Sequence, residues 1–388
     1  MSQQIKPLTG LRGIAALMIV IHHFPIALAP TWGKALQTQT QLIDNSYLWV
    51  DFFFILSGFL MTHIYKSFLR NNIQWKDYKK FIFSRSTHLY PLHFILLFSY
   101  FIFEIFKLIH YQFILTIKPQ YLSIFQHPFS GRKDIVSLFM SLLMLQGFDY
   151  TRSPLFDIKT FWNQPAWSIS TQCLIYLVLP FVIFLLFQRS RKTNLVIYIF
   201  SLLAISLVIH FGKINHSGIP VIIRFFSEGV VGIITYQFFE DPKARRFFSH
   251  SSVSITSFLL AMIIMHTGLK IILIVPIFSL LILSVSGKRN SITDLLSSRF
   301  LLFLGTISYS IYMSHWLVQD VIKFSWQATF NQTFPQEMKF SSFSILLGVE
   351  VLIVLGLSSL LYFLIEKPSR RWLKTSYFAR KFIYCPST

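Results

Sequence analysis

The stretch Thr9–Phe24 reads TGLRGIAALMIVIHHF, an apolar segment with an arginine near its start and two histidines near its end. Arg12 and His23 are eleven positions apart, about three helical turns, so they share one helical face about 16 Å apart. His22 lies about 100° around the helix from His23 and cannot serve that face. In a bilayer, such ionisable side chains face the protein interior or a water-filled cavity. The face of Arg12 and His23 is therefore the first candidate for a functional site.

The composition is that of a membrane protein. Of the 388 residues, 54% are hydrophobic and 13% are charged, whereas soluble domains carry about a quarter charged residues. The net charge of +20 comes from basic residues in short loops beside apolar segments. This pattern is typical of positive-inside topology and of contact with anionic lipids, rather than of nucleic-acid binding. Cys173 and Cys385 are too few for a disulfide framework or a metal cluster, and Cys385 belongs to the basic tail.

Ten apolar windows predict an all-α, polytopic integral-membrane bundle of about ten transmembrane helices. The windows cover residues 8–29, 46–69, 85–108, 167–187, 195–211, 219–239, 253–267, 270–286, 300–323 and 342–364. The alternation of basic loops places both termini in the cytoplasm. Residues 253–286 form either a hairpin, which the polar residues near 268 favour, or one broken helix. The apolar piece 135–148 of the outer loop 109–166 predicts a re-entrant or interfacial helix, and the tail from Glu366 predicts an amphipathic surface helix.

The first segment also has features of a secretory signal, because Lys6 and Arg12 precede an apolar run that ends in Ala27-Leu28-Ala29. Two histidines and Pro25 interrupt the approach to that cleavage site. We therefore interpret the segment as a retained helix.

Arg12 and His23 each have a functional and a structural interpretation. Near the cytoplasmic face, Arg12 either holds a phosphate or carboxylate through two hydrogen bonds or anchors a helix end at the membrane surface. His23 titrates near neutral pH, so it either accepts a proton from a hydroxyl or thiol or is an ordinary hydrogen-bonded bundle histidine.

Charged residues also occur in the second and sixth predicted spans. Asp51, at the outer end of the second span, either orients a histidine or is a helix N-terminal acid that faces water. Arg224 and Glu228 are four positions apart in the sixth span. They are predicted to form a structural pair whose charges neutralise each other.

The third and fourth spans begin with polar groups. Arg85 and His88 are neighbours on one helical face at the cytoplasmic start of the third span. Arg85 there either binds phosphate or is an ordinary positive-inside charge. Trp167 and Ser168 open the fourth span, followed by Gln172, which can hydrogen-bond but cannot act as an acid or base.

Ser308, Tyr312 and His315 share a face of the ninth span. This polar stripe either contacts a sugar or the catalytic helix, or packs through interhelical hydrogen bonds. The sequence contains no P-loop, no HExxH metal motif and no Gly-x-Ser-x-Gly elbow. Neither an ATPase nor a metalloprotease is supported, and no metal site is expected.

In this order, the segments resemble the membrane-bound acyltransferase-3 family, whose members O-acylate lipopolysaccharide, capsule, peptidoglycan and small molecules. The resemblance covers residues 5 to about 372. It is carried by Arg12 with His23, VDFFFILSGF at 50–59, WSIS at 167–170, Arg224 with Glu228-Gly229, the run 305–316 and EKP at 366–368. The chain departs from the family pattern at His88, where a second arginine is common, and at Gln172, where a glutamate is common.

The resemblance implies a transmembrane acyltransferase domain over residues 1–372, a short basic cytoplasmic tail over 373–388 and no appended soluble domain. The expected protein is a multi-pass protein of a bacterial inner membrane. It moves an acetyl group from cytoplasmic acetyl-CoA, a co-substrate and not a bound cofactor, to a hydroxyl of a glycan or lipid-linked glycan. The transfer is either direct or passes through an acyl-histidine.

The resemblance also assigns roles to the candidate residues. The implied catalytic residues are His23, Arg12 and Asp51. The residues implied to bind acyl-CoA are Arg12, Arg85 and His88. The residues implied to support the acceptor are Trp167, Ser168, Gln172, Ser308, Tyr312 and His315. The alternatives are a polysaccharide transporter or flippase, which predicts inverted repeats that the sequence does not display, and a scaffold that has lost activity.

Overall fold

The computed structural model describes residues 5–69, 73–130, 133–147, 162–211, 218–268, 271–335 and 337–376, and all regular structure in these ranges is helical. The first half contains α1 (Lys6–Leu28), α2 (Pro30–Gln37), α3 (Trp49–Leu69), α4 (Trp75–Ile117), α5 (Ile135–Leu142), α6 (Ala166–Phe187), α7 (Arg191–His210) and α8 (Ile219–Glu240). The second half contains α9 (Pro242–Phe248), α10 (Ser251–Thr267), α11 (Ile274–Ser286), α12 (Ser291–Leu296), α13 (Arg299–Thr306), α14 (Ser308–Phe330), α15 (Phe340–Leu361) and α16 (Lys367–Thr375). Cys385 and residues 377–388 of the predicted tail lie outside the described ranges.

The predicted multi-pass helical bundle is confirmed. In the described part of the chain, 7 helices are long and apolar enough to cross a membrane, or up to 9 if each of two bent helix pairs is one span. The bent pairs are α9 with α10 and α13 with α14, and the shorter apolar helix Ile271–Ser286 covers the eighth predicted window. Each of the ten predicted windows therefore falls mainly on helix. The count of ten spans and the cytoplasmic termini stay predictions.

The predicted hairpin at 253–286 matches the structure, since α10 and α11 pack side by side. Gly268 ends α10 with a φ of 67°, a left-handed conformation that glycine adopts without strain.

Helix α4 is much longer than the predicted span over residues 85–108. Its 43 residues extend for about 65 Å, roughly twice the thickness of the hydrocarbon core of a bilayer. Lys79 and Lys80 precede the apolar window and Gln112 follows it. These polar residues are good helix formers, so the helix continues through them. Hydropathy therefore predicted the apolar centre of α4 and missed both extensions.

The ninth predicted span, 300–323, consists of two helices, α13 and α14, which are bent by 65° relative to each other. The end of α13 lies against α1, where a Cβ on Gly305 would be 1.7 Å from the backbone oxygen of Thr9. Only glycine permits this close approach. The bend starts a new helix at Ser308 and brings its first turn opposite Arg12.

Helices α3 and α8 also pack closely against each other. A Cβ on Gly58 would be 2.1 Å from the backbone oxygen of Gly229, and a Cβ on Gly232 would be 2.0 Å from that of Ile55. Small residues allow backbones to approach in this way. The contact places Asp51 of α3 beside Arg224 of α8.

The connection between α4 and α6 contains α5, whose eight residues span about 12 Å and are too few to cross a bilayer. Hydrogen bonds fix α5 against its neighbours: Trp162 Nε1 donates to Ser137 Oγ at 2.8 Å, and His93 Nε2 lies 2.8 Å from the backbone oxygen of Ser141. At the other end of the chain, α15 runs through a π-helical turn, Tyr362–Glu366, into α16.

Candidate active site

The predicted face of Arg12 and His23 packs against α14. Arg12 Nη2 donates a hydrogen bond of 3.1 Å to Ser308 Oγ. Eleven residues along α1, His23 Nδ1 lies 3.2 Å from His315 Nε2. Two residues of the predicted polar stripe on α14, Ser308 and His315, therefore contact the two candidate residues of α1.

Backbone carbonyls determine the tautomers of the two histidines. The backbone oxygen of Ile19 lies 3.0 Å from His23 Nδ1, and that of Tyr312 lies 2.7 Å from His315 Nδ1. Because a carbonyl oxygen only accepts, each Nδ1 carries its ring's proton. His23 then shares its N–H between Ile19 and His315, and His315 accepts through Nε2. In the His23 ring, Nε2 is therefore the nitrogen whose lone pair can take up a proton.

His22 points in a different direction, as its position on the helix predicts. Its Nδ1 lies 2.8 Å from the backbone oxygen of Ile43, and it lines a pocket of about 670 Å³ with Lys34, Thr40 and Asp44. The rings of His22 and His23 nevertheless meet edge to face, with centroids 4.8 Å apart. His22 therefore lies between this second pocket and the histidine pair.

A cavity of about 830 Å³ lies between α1, α3, α4, α6 and α14. Seven of the residues predicted to contact the donor or the acceptor line it: Arg12, Arg85, His88, Ser168, Gln172, Ser308 and Tyr312. His23, Asp51, Trp167 and His315 lie outside its lining. Tyr312 connects the two regions, because its ring is 6.0 Å from that of His315.

The side of the cavity formed by α4 holds Arg85 and His88. Arg85 Nη2 donates to the hydroxyl of Tyr65 at 3.1 Å, and its guanidinium lies 5.5 Å from the centre of the Tyr65 ring. His88 Nδ1 lies 3.6 Å from Glu366 Oε1, and Ser310 donates to Glu366 Oε2 at 3.0 Å. Glu366 is buried.

Sequence analysis missed Glu366 as a site residue and treated it as the start of a surface tail. The π-helical turn Tyr362–Glu366 places its side chain inside the bundle. Such turns are rare in proteins, and those that occur are often found at functional sites. The sequence does show an acidic residue at the end of an apolar span, followed by Lys367-Pro368. It does not show that the side chain of this acid points into the bundle.

Helices α6 and α3 also contribute to the lining of the cavity. Ser168 and Tyr312 exchange a hydrogen bond of 2.7 Å between their hydroxyls, and Gln172 Nε2 donates to Ser57 Oγ at 3.2 Å. Trp167 instead packs on Phe225, with ring centroids 5.5 Å apart. Gln172, which stands where the resemblance implies a glutamate, thus makes a neutral hydrogen bond.

Asp51 does not contact a histidine and does not face water. It is 1% exposed, and its Oδ1 lies 2.5 Å from Nη2 and 2.8 Å from Nε of Arg224. Arg224 is farther from Glu228, at 3.4 Å. The predicted pair is therefore a buried triad in which Asp51 is the main partner of Arg224, because α3 and α8 approach so closely.

Two carboxylates face one guanidinium in this triad. Asp51 Oδ2 and Glu228 Oε2 are buried and have no hydrogen-bond partner among the described residues. The described residues contain no group of three or more His, Cys, Asp or Glu that could hold a metal ion.

A helical bundle with a cation-lined cavity and a histidine pair beside it defines a multi-pass membrane protein with a buried polar site. Comparison with known families identifies it further: the family model described as an acyltransferase domain matches residues 5–365. The chain belongs to the membrane acyltransferase-3 family and is an acyltransferase. Neither the curated proteins nor the solved structures contain a match to it.

Proposed function

We propose that this acyltransferase moves an acetyl group from cytoplasmic acetyl-CoA to a hydroxyl of a cell-surface glycan, such as lipopolysaccharide O-antigen, in a bacterial inner membrane. The observation that carries the proposal is the single cavity lined by Arg12 and Arg85 on one side and by Ser168 and Tyr312 on the other. Cations suit the phosphates of CoA, and hydroxyls suit a sugar.

The donor enters from the cytoplasm. Arg12 and Arg85 bind the CoA phosphates, and the pantetheine arm extends along α1. The distance from Arg12 to His23, about 16 Å along the helix axis, is on the scale of that extended arm. The thioester therefore reaches the histidine pair when the phosphates stay at the cytoplasmic end.

His23 acts as the general base. Its Nε2 takes the proton of the acceptor hydroxyl, whose oxygen attacks the thioester carbonyl and forms the ester bond. The carbon–sulfur bond breaks, and the CoA thiolate takes the proton from His23. His315 orients His23 and accepts its Nδ1–H while the ring is positively charged. The same lone pair can instead attack the thioester and form a transient acyl-histidine. Trapping of a labelled enzyme distinguishes this route from direct transfer.

The glycan approaches from the outer side. The pocket of about 670 Å³ beside His22 is lined by polar groups, including Lys34, Gln37, Thr40 and Asp44. His22 separates this pocket from His23 by one ring contact of 4.8 Å. A sugar hydroxyl therefore has a polar approach that ends next to the proposed base.

Purified protein in nanodiscs with radiolabelled acetyl-CoA and a glycan-containing membrane extract tests the proposal. We expect label in the glycan with the wild type and its loss in Arg12→Ala and His23→Ala. The matched control is His63→Ala, a histidine of α3 beside Tyr236 and outside the cavity lining. Full transfer by His23→Ala would contradict the mechanism. Glycan movement without consumption of acetyl-CoA would support a transporter, which the family assignment disfavours.

A further inference from the structure

Helix α16 presents two further cations to the inside of the protein. Arg370 and Lys374 follow Glu366 at intervals of four residues, so the three side chains share one helical face. Glu366 is buried and the two cations are half-buried, whereas Lys367 and Arg371 are exposed. Because α16 packs against α4, this face is directed at the helix that carries Arg85 and His88.

Four cations converge at this end of the cavity. Arg12, Arg85, Arg370 and Lys374 all lie close enough to His88 to act on its charge. Arg370 is also within electrostatic range of Arg12, and Lys374 within range of Arg85. The charges of these side chains therefore belong to one cluster.

One carboxylate, Glu366, interacts with Arg12 and Arg370. Within the described ranges, none of the four cations has a carboxylate oxygen within 4 Å. The cluster thus keeps a net charge of about +3, and its partly buried cations repel one another. A bound polyanion removes that repulsion, whereas a single negative charge leaves most of it.

The shape fits a ligand with separate phosphate groups. Arg370 and Lys374 lie about one and two turns beyond Glu366, or about 6 and 12 Å along the axis. They line a hollow of about 510 Å³ with Tyr362, Glu366 and the exposed Lys367 and Arg371. This hollow is distinct from the main cavity, which Arg12 and Arg85 line. The cations thus form two groups, one at the cavity and one along α16.

We propose that α16 is part of the donor site and that Arg370 and Lys374 bind the 3′-phosphate of CoA, while Arg12 and Arg85 bind its diphosphate. The inference rests on the proposed function, since it takes acyl-CoA as the donor. The phosphate farther from the thioester is assigned to α16 because Arg370 and Lys374 line the separate hollow and not the main cavity. Lys367 and Arg371 line the same hollow from its exposed side.

Binding of CoA and of dephospho-CoA, which lacks the 3′-phosphate, tests the assignment with the full chain in neutral-lipid nanodiscs. The variant Arg370→Gln with Lys374→Gln is compared with the control Lys243→Gln with Arg246→Gln, which removes the same charge from two exposed positions of α9 outside the lining of both the cavity and the hollow. We expect the first pair to weaken CoA binding by about 10-fold or more, the loss typical of hydrogen bonds to charged groups. Dephospho-CoA binding is expected to change by less than about 3-fold, and the control to change neither.

Equal losses for both ligands, or equal losses in the control pair, would overturn the assignment. If the paired variant does not fold, the affinities of the single variant Lys374→Gln for CoA and for dephospho-CoA are compared in the same way. A variant that loses retention of anionic phosphatidylglycerol but keeps its CoA affinity would show that α16 binds lipid headgroups instead. A wild type that binds neither CoA nor dephospho-CoA would refute the proposed donor itself. If the wild type binds CoA more tightly than dephospho-CoA but the substitutions at Arg370 and Lys374 leave both affinities unchanged, only this inference is refuted.

Discussion

Replacing His315 by leucine tests the role of the histidine pair. In the resting site, the Nδ1–H of His23 has two acceptors, the backbone oxygen of Ile19 at 3.0 Å and His315 Nε2 at 3.2 Å. The leucine variant removes one acceptor and leaves the other, so the neutral ring stays hydrogen-bonded. We therefore expect the protein to fold and to bind its donor normally.

The loss should occur when His23 carries the proton of the acceptor hydroxyl. A hydrogen bond to a charged group contributes about 1.5–3 kcal/mol, and about 1.4 kcal/mol corresponds to a factor of 10 in rate. His315→Leu should therefore lower kcat by about 10- to 100-fold. KM for acetyl-CoA should stay unchanged, because His315 is outside the lining of the donor cavity.

Steady-state transfer rates in nanodiscs, with acetyl-CoA varied at saturating acceptor, separate these effects. His315→Gln is the matched variant, since its side-chain oxygen can still accept the hydrogen bond, and it should retain more activity than leucine. An unchanged kcat in His315→Leu would refute the role of the pair. An increase in KM with normal kcat would place His315 in donor binding instead.

Three further predictions concern stability and are checked by thermal unfolding of purified variants. Gly232→Ala places a Cβ 2.0 Å from a backbone oxygen of α3 and should destabilise the protein by about 1–3 kcal/mol. Its control, Gly356→Ala, has no atom within 4 Å of the new Cβ and should be neutral or stabilising. Equal effects of the two variants would contradict the close packing of α3 and α8. Arg224→Met leaves two buried carboxylates without their cation and should cost about 3–5 kcal/mol; a wild-type melting temperature would refute the triad. Asp241 is outside the spans, and hydrogen bonds from Arg191 and two backbone N–H groups lower its pKa. Its stabilisation should be present above about pH 4 and lost as the pH falls through the lowered pKa, so Asp241→Asn should differ from wild type at neutral pH and converge with it in acid.

Helical periodicity predicted much of the candidate site. The face shared by Arg12 and His23 follows from their spacing, and the stripe of Ser308, Tyr312 and His315 follows from theirs. The structure brings these two faces together, which the sequence offered only as one of two readings. Local spacing is sufficient here because each set lies on one regular helix.

The remaining features depend on contacts between distant parts of the chain. Asp51 and Arg224 are 173 residues apart, and no local pattern predicts that glycines bring their helices together. Glu366 enters the site through a π-helical turn, which moves its side chain off the face that ordinary α-helical spacing predicts. The extensions of α4 were missed because hydropathy records apolar length and not helix length.

The most direct test of the central claim is to measure acetyl-CoA binding and acetyl transfer on the same nanodisc preparations of Arg12→Ala and His23→Ala. The account assigns binding of the donor to Arg12 and chemistry to His23. It predicts that Arg12→Ala loses affinity for acetyl-CoA and that His23→Ala binds acetyl-CoA normally but transfers no acetyl group. Normal transfer by His23→Ala, or undiminished donor affinity in Arg12→Ala, would contradict it.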